Sequence, residues 1–283
     1  MTTPDTVSGQ GPAAAAGPGE TQKPPAWTLL CIAAGALFII ITYAQVLLAQ
    51  PATVPEELDN TSLGVMAGYL TGGALIAAGT LPRIPRSIIA LMPAAIALNI
   101  VVGQIVGTMT PIPLYLDSLG TVVVGVIAGP AAGALTGILT NVIWGVTINP
   151  TVIFFTAGAA FIGAAAGWAA RIGAFRAVWW AVIAGAVAGI PAGALGAPVA
   201  AYMFGGGLGV GTGGVVATFQ AAGLEMLHAT TLQSLASDTA DKAIIFLLAF
   251  LVLWALPRRI LGRYPFTRHS LGRHSLARDR TAR

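Results

Sequence analysis

Long apolar runs, separated by short polar or glycine- and proline-rich turns, dominate the chain. Residues 1–25 are rich in Gly, Ala, Pro and Thr and predict a disordered tail. The runs that follow mostly approach the roughly 20 residues that a membrane-crossing helix needs. They predict spans over residues 27–48, 63–81, 87–109, 151–170, 178–204 and 243–256. The pattern therefore predicts an all-α, polytopic membrane helical bundle.

The stretch from Pro113 to Asn141 predicts a hairpin of two shorter helices. Its apolar runs, residues 119–128 and 131–146, flank Gly129-Pro130. Glycine commonly ends a helix and proline commonly begins one, so this pair predicts a tight elbow at one membrane face. The first arm is short for a full crossing. Asn149-Pro150-Thr151 predicts a further helix start, with Asn as its cap.

Composition and charge support the membrane interpretation and add an orientation. The mean hydropathy is +0.82 and only 8% of residues are charged, unlike a soluble domain. Basic residues collect on the cytoplasmic side of membrane proteins. With a cytoplasmic N-terminus, alternate crossings place every Lys and Arg except Lys242 inside, and Asp117, Glu225, Asp238 and Asp241 outside. We therefore predict a plasma-membrane protein with both termini in the cytoplasm.

The same counting constrains the region before the last span. Residues 205–214 predict a flexible glycine-rich loop, and residues 215–236 are less apolar. The preceding span exits outward and the last span must run inward, so an even number of crossings lies between them. We predict none, which makes residues 215–236 an outer-face or re-entrant helix and gives eight transmembrane helices. The basic segment 260–283 is predicted to be a cytoplasmic tail that acts as a topology signal or contacts anionic lipid.

Several classes of chemistry are disfavoured by missing motifs. The chain contains no G-x-x-x-x-G-K-[ST], H-E-x-x-H or G-x-S-x-G, and only two lysines. The single cysteine, Cys31, provides no disulfide framework. We therefore expect no catalytic residue, metal site, cofactor or nucleic-acid partner in this chain. The predicted topology also places no ionisable residue at mid-membrane, which argues against a self-powered pump or antiporter.

Small residues recur at four-residue spacing in three places. Gly129-x-x-x-Gly133-x-x-x-Gly137 and Gly185-x-x-x-Gly189-x-x-x-Gly193 each place glycine along one helical stripe. Such stripes let helix backbones approach closely, so we expect tight packing within the bundle. Ala90-x-x-x-Ala94 is a weaker pattern that fits an intermolecular face.

Polar and aromatic residues converge on the outer half of the predicted bundle and outline an outward-opening pocket. The candidate substrate-binding residues are Tyr115, Asp117, Asn141, Trp144, Tyr202, Asp238 and Lys242. Each has a plainer interpretation. Asp117 fits a helix N-cap, Asn141 fits a hydrogen bond between helices, and Asp238 with Lys242 fits a local ion pair. The aromatic residues fit an interfacial belt.

An ordered set of motifs resembles a known transporter family. The motifs are ALNIVVGQ (residues 97–104), PLYLDSLGT (113–121), GPAAGALTGILTN (129–141), NPT (149–151), GAPVAAYMFGG (196–206), and DK with a later LPRR (241–259). The set resembles the substrate-binding S components of energy-coupling factor vitamin transporters, over about residues 87–259. The resemblance implies a six-helix core that binds a vitamin or related micronutrient from outside. Residues 26–86, two extra N-terminal helices, fall outside that core.

The resemblance also implies partners. An S component works with a transmembrane coupling subunit and two ATPase subunits, so the ATP site that this chain lacks belongs to them. Ala90 and Ala94 then correspond to the pattern with which this family contacts the coupling subunit. Two alternatives stay open: a membrane sensor that signals through its basic tail, and a stand-alone facilitator of a small molecule.

Overall fold

The computed structural model describes residues 25–49, 60–206 and 210–256. Within these ranges the chain forms nine α-helices and no β-strand. The helices are α1 (Ala26–Ala49), α2 (Asn60–Thr80), α3 (Arg86–Met109), α4 (Leu119–Ala128), α5 (Pro130–Thr147), α6 (Thr156–Arg171), α7 (Val178–Phe204), α8 (Val210–Ala221) and α9 (Met226–Ala255). The predicted all-α fold is confirmed.

Five helical segments of the described chain are long and apolar enough to cross a membrane. They are Ala26–Gln45, Leu63–Arg83, Arg86–Gly107, Pro150–Arg171 and Val178–Ala201. The 30 residues of α9 also span about 45 Å, at roughly 1.5 Å per residue. The protein is therefore a multi-pass helical membrane bundle. The 12 residues of α8 span only about 18 Å, too short to cross a hydrocarbon core of about 30 Å.

The predicted hairpin is present with its elbow at Gly129-Pro130. Gly129 adopts φ 95, a conformation that favours glycine, and is at once the C-cap of α4 and the N-cap of α5. Pro130 occupies the first position of α5. Asn149 is also a cap as predicted, and its side-chain oxygen accepts from the Thr151 backbone N–H at 3.2 Å. The helix that it caps is a 3₁₀ helix, Pro150–Phe155, which leads into α6.

Two predictions for the region after α7 are wrong. Residues 210–214, predicted as part of a flexible loop, belong to α8. The predicted outer-face helix over residues 215–236 is divided, because residues 215–221 belong to α8, and its remainder from residue 226 is continuous with the predicted last span over 243–256. Their boundary falls inside α9, one uninterrupted helix. No proline or glycine interrupts residues 226–255, so nothing local stops the helix at its polar residues.

The continuity of α9 overturns one further expectation. Asp238, Asp241 and Lys242 were expected to precede the last span, outside the membrane. They instead lie near the middle of α9, and Asp241 and Lys242 are buried. The argument against a self-powered transporter, which relied on the absence of such groups, therefore loses its basis. Other expectations, for residues 1–24 and for the basic tail at 260–283, lie outside the described residues.

The two glycine stripes pack helices together as expected. A methyl group on Gly185, Gly189 or Gly193 of α7 would overlap with backbone atoms of α9. The atoms involved include the carbonyl oxygens of Lys242, Asp238 and Ser234, respectively. On the other stripe, Gly133 and Gly137 of α5 meet the backbone of α6 in the same way, at Gly163 and Ala159. The glycines of α7 therefore determine how closely the charged part of α9 packs against α7.

The two extra N-terminal helices pack on each other and on the core. Gly35 of α1 lies against the backbone of Gly72 and Ile76 of α2, and Gly79 of α2 lies against the Thr28 carbonyl of α1. The Tyr43 hydroxyl of α1 donates to the Leu195 carbonyl of α7 at 2.9 Å. Gly73 of α2 lies against Ile138 of α5. The pair is thus attached to the same helices that carry the predicted site.

Replacing a glycine of the α7 stripe is expected to destabilise the bundle. Gly189→Val forces side-chain atoms against the α9 backbone, and overpacking of this kind costs about 1–3 kcal/mol. The free energy of unfolding, measured by denaturant titration in detergent micelles, should fall by that amount. Gly64→Val on α2 is the matched control, because a Cβ there has nothing within 4 Å. Equal stability of the two variants would contradict close α7–α9 packing.

Candidate functional site

A cavity lies among α3, α4, α5, α6, α7 and α9, and Tyr43 of α1 completes its wall. Its volume is about 140 Å³. Since about 10–15 Å³ of such space holds one water molecule, it has room for on the order of ten waters, the scale of a small organic molecule. Its wall is apolar and aromatic over most of its area, but it also carries ten hydroxyl, amide or charged side chains besides two tyrosines. That composition is typical of small-molecule sites.

The predicted site residues meet at this cavity. Its wall includes Tyr115, Asp117, Asn141, Trp144, Asp238 and Lys242. They come from the loop between α3 and α4, from α5 and from α9, so the fold joins residues that are more than a hundred positions apart. The seventh predicted residue, Tyr202, belongs to α7, and its side chain lies outside the described part of the structure.

A buried amide fixes the helices beneath the cavity. The Asn99 Nδ2 of α3 donates to Thr121 Oγ1 of α4 at 2.8 Å and to Thr140 Oγ1 of α5 at 3.1 Å. Its Oδ1 accepts from the Gly120 backbone N–H at 2.7 Å. The side chain is fully buried, so these bonds take the place of the hydrogen bonds that water would make with an exposed amide. Thr121 and Thr140 also line the cavity.

Asn141 and Trp144 are held in place by hydrogen bonds. Asn141 Nδ2 donates to the Val152 carbonyl at 3.0 Å and so fastens the 3₁₀ helix to α5. The predicted structural role of this amide is therefore real, although the residue also lines the cavity. Trp144 Nε1 donates to Gln104 Oε1 at 3.1 Å. Because Trp144 is 6% exposed, it belongs to the cavity wall and not to an interfacial belt.

The α3–α4 loop presents Tyr115 and Asp117 to the cavity. Its backbone N–H groups at Tyr115 and Leu116 donate to Asp241 Oδ1 of α9 at 2.9 and 2.8 Å. Leu116 adopts φ 50, a left-handed conformation that is unfavourable for a residue with a Cβ. Asp241 therefore holds this loop in a conformation that it would not adopt alone.

Lys242 stands at the centre of three carboxylates. Its Nζ donates to Asp241 Oδ2 and lies 3.7 Å from Asp117 Oδ1 and 3.8 Å from Asp238 Oδ1. The predicted local pair of Asp238 and Lys242 is thus part of a larger cluster. The alternative role for Asp117 is wrong, because Ser118 is the N-cap of α4 and makes no side-chain cap bond.

Burial shifts the ionisation of the two loop residues. Desolvation raises the pKa of the Tyr115 phenol above its ordinary value, although a hydrogen bond with Thr212 of α8 opposes the shift. The phenol is therefore neutral at pH 7. Desolvation also raises the pKa of the Asp117 carboxyl, and the Lys242 ammonium acts in the opposite direction.

No family model, curated protein or solved structure matches this chain. The candidate site must therefore be judged from its own geometry. That geometry holds a cavity with an aromatic wall, two carboxylates and an ammonium group.

Sequence reasoning missed several contributors to the site, among them Asp241, Tyr43 and Ser118. Asp241 was read only as an outer acidic residue, yet it supports the loop and binds Lys242. Its position next to Lys242 gave no signal of this, since adjacent helical residues face different directions. Tyr43 was missed because α1 was treated as external to the core. A tyrosine inside an otherwise apolar span was the available signal, because its hydroxyl needs a partner.

Removing the Asp241 carboxylate is expected to release the α3–α4 loop. Hydrogen bonds to charged groups contribute about 1.5–3 kcal/mol, so in Asp241→Ala the amide hydrogens of Tyr115 and Leu116 should exchange roughly ten times faster or more. Hydrogen–deuterium exchange with peptide mass spectrometry measures this rate. Asp241→Asn, which keeps one acceptor oxygen, should give an intermediate rate.

The control for this experiment is Asp238→Ala. It removes another carboxylate next to Lys242, but one without a hydrogen bond to the loop backbone. Its loop amides should exchange as in the unaltered protein. Equal acceleration in Asp238→Ala and Asp241→Ala would show that the loop depends on the charge of the cluster and not on these two hydrogen bonds.

Proposed function

We propose that this chain is the substrate-binding membrane subunit of an importer of the energy-coupling factor type. It captures a vitamin or related micronutrient from outside the cell. Partner chains, a transmembrane coupling subunit and two ATPases, supply the energy for uptake. This chain performs no chemistry on its ligand.

The observation that carries the proposal is the convergence of the six motifs behind the family resemblance. Each motif contributes to the wall of the same cavity, and one wall residue per motif, in chain order, is Gly103, Tyr115, Gly137, Asn149, Gly196 and Lys242. Motifs that served only to pack a membrane bundle would have no reason to meet at one cavity. A shared ligand site accounts for their order and spacing.

The distribution of basic residues supports an outward-facing cavity. Most wall residues of α3, α5 and α7 lie in the second half of the helix and most of those of α9 in the first half, and the exceptions, Gly137 and Lys242, lie within two residues of a helix midpoint. The basic residues lie at the other ends of the helices: Arg83 just before α3, Arg86 at its start, Arg171 at the end of α6 and Arg176 before α7. Since basic loops are retained in the cytoplasm, we place the cavity in the outer half of the membrane.

In this proposal the ligand enters near the α3–α4 loop and contacts Trp144, Tyr115 and Asp117. The short helix α8 packs over the same loop, with Gly211 against the backbone of Pro111 and Ile112. Together the loop and α8 form the cover of the cavity. Their closure isolates the ligand from water, and reorientation driven by the partner ATPases then releases it inward.

The small-residue face of α3 is available for the coupling subunit. Ala90 and Ala94 are both exposed on α3. Small side chains allow another helix to approach closely. We therefore assign this face to the coupling-subunit contact.

The charge cluster favours one alternative, an ion-coupled transporter that needs no ATPase. Ionisable residues within membrane helices commonly serve proton or ion pathways, and Asp238, Asp241 and Lys242 lie in the middle of α9. Energy coupling separates the two functions. An importer subunit needs its ATPases, whereas an ion-coupled transporter works without them.

Co-purification tests the proposed assembly. The tagged full-length chain, isolated from its own cells in mild detergent, should recover a second membrane protein and two ATPases. Ala90→Leu combined with Ala94→Leu should reduce that recovery about tenfold, because larger side chains prevent close helix approach. Ala67→Leu, an exposed position on α2, should not. ATP-independent uptake by the purified chain in liposomes would overturn the proposal.

Cysteine labelling tests the orientation. In a Cys31→Ser background, Glu225→Cys before α9 and Arg86→Cys at the start of α3 each introduce one exposed thiol. A membrane-impermeant maleimide applied to intact cells should label the Glu225→Cys variant only. Permeabilised cells should show labelling of both. Labelling of the Arg86→Cys variant alone in intact cells would reverse the orientation.

A further inference from the structure

Among the residues that the structure describes, negative charge is concentrated at one place. The described residues include four acidic side chains, Asp117, Glu225, Asp238 and Asp241. All but Glu225 lie within ion-pair distance of the Lys242 ammonium. Lys242 is also the only basic residue of the cavity wall in the part of the chain that the structure describes. Three carboxylates thus share one cation.

Asp241 has closer hydrogen-bond and ion-pair partners than Asp117 and Asp238 have. Asp241 accepts two backbone N–H groups and the Lys242 ammonium, so this pair is neutral overall. Asp117 and Asp238 approach the same ammonium only at 3.7 and 3.8 Å, beyond normal hydrogen-bond length. Both line the cavity, with side chains 30% and 15% exposed, respectively. Burial makes such partly paired carboxylates unfavourable unless a proton or a further positive charge neutralises them.

Ser118 provides an independent indication of a ligand. Its hydroxyl oxygen is buried and has no hydrogen-bond partner, and the residue is 6% exposed. It lines the cavity directly beside Asp117. Buried polar groups almost always have partners. In this conformation the oxygen is closed off from the cavity, so the side chain must rotate toward it before a polar group of a bound molecule can supply the missing partner.

The remainder of the wall suits the body of an organic cation. Trp144, Phe154, Phe155, Tyr43 and Tyr115 contribute aromatic side chains to the cavity. Aromatic faces attract cations through their quadrupoles and also contact flat or hydrocarbon groups. A metal ion would leave this wall unused. Moreover, no group of three or more His, Cys, Asp or Glu side chains among the described residues has metal-ligand spacing.

We propose that the cavity binds a small organic cation whose charged nitrogen lies between Asp117 and Asp238. The Ser118 hydroxyl forms a hydrogen bond with a polar group of the same molecule, and the aromatic wall contacts its ring or hydrocarbon part. Lys242 remains paired with Asp241 and keeps Asp117 and Asp238 oriented at longer range. The inference rests on the proposed function as a binding subunit and names the class of its ligand.

Matched probes of different charge test the inference. The full-length chain in phosphatidylcholine nanodiscs is dialysed against thiamine and against two series of molecules, each with a cationic, a neutral and an anionic member of similar molecular size. The first series is 1-methylnicotinamide, nicotinamide and nicotinate. The second series is pyridoxamine, pyridoxine and 4-pyridoxate. Mass spectrometry then measures what the protein retains above empty nanodiscs. Cations should be retained at least tenfold over their neutral and anionic counterparts, as expected for a charged hydrogen bond.

Variants assign that preference to the two carboxylates. Asp117→Asn and Asp238→Asn preserve side-chain size and should each reduce cation retention about tenfold. Glu225→Gln, an exposed carboxylate outside the cavity, should leave it unchanged. Thermal unfolding identifies any variant that fails to fold, and Asp117→Asn, in a loop, then provides the decisive comparison. Retention of no cation, preferential retention of neutral or anionic probes, or retention that survives both substitutions would overturn the inference.

The outcome is separable from the test of the proposed function. Cation retention by a chain that recovers no ATPase would support the ligand class and contradict the importer assembly. Recovery of the ATPases by a chain that prefers anions would do the reverse.

Discussion

An irregular loop within a membrane bundle needs partners for its backbone, and this requirement organises the structure. The 10 residues of α4 extend only about 15 Å, so the loop before it brings non-helical backbone toward the interior. Lipid offers no hydrogen bonds, and such backbone is tolerated only where protein or a wet cavity satisfies it. Asp241 accepts hydrogen bonds from the backbone N–H groups of Tyr115 and Leu116. A buried carboxylate needs a counter-ion in turn, and Lys242 supplies it.

The close packing of α7 and α9 makes this arrangement possible. Glycines on α7 contact the backbone of α9 at Ser234, Asp238 and Lys242, the turns that carry the charge cluster. Larger residues would move α9 away and draw Asp241 off the loop. One stripe of small residues therefore determines both the helix packing and the shape of the cavity. Asn99 plays the corresponding part for α3, α4 and α5.

Sequence patterns predicted the helices well and the site in part. Apolar runs and the Gly129-Pro130 elbow predicted the bounds of α4 and α7 to the residue. The thickness of the membrane constrains the length of a helix, and capping residues define where it begins and ends. The hydropathy pattern predicts a boundary at the polar residues of α9, but a helix tolerates such residues when neighbouring elements satisfy their charge. Most of the predicted pocket residues converge as expected. Asp241 and Tyr43 escaped because their roles depend on contacts between distant segments, which hydropathy does not encode.

The fold also explains why the cavity is left with unbalanced charge. Lys242 is committed to Asp241, since that pair supports the loop, and it is therefore only a distant partner for Asp117 and Asp238. A bundle selected for stability alone would replace such carboxylates with apolar residues, because incompletely paired buried charge is destabilising. Their presence beside an unpartnered Ser118 hydroxyl and an aromatic wall is instead consistent with a site that is completed by its ligand. Tyr43 connects α1 to the same site. Its hydroxyl donates to the Leu195 carbonyl at the cavity wall, so the first helix becomes part of the enclosure of the cavity.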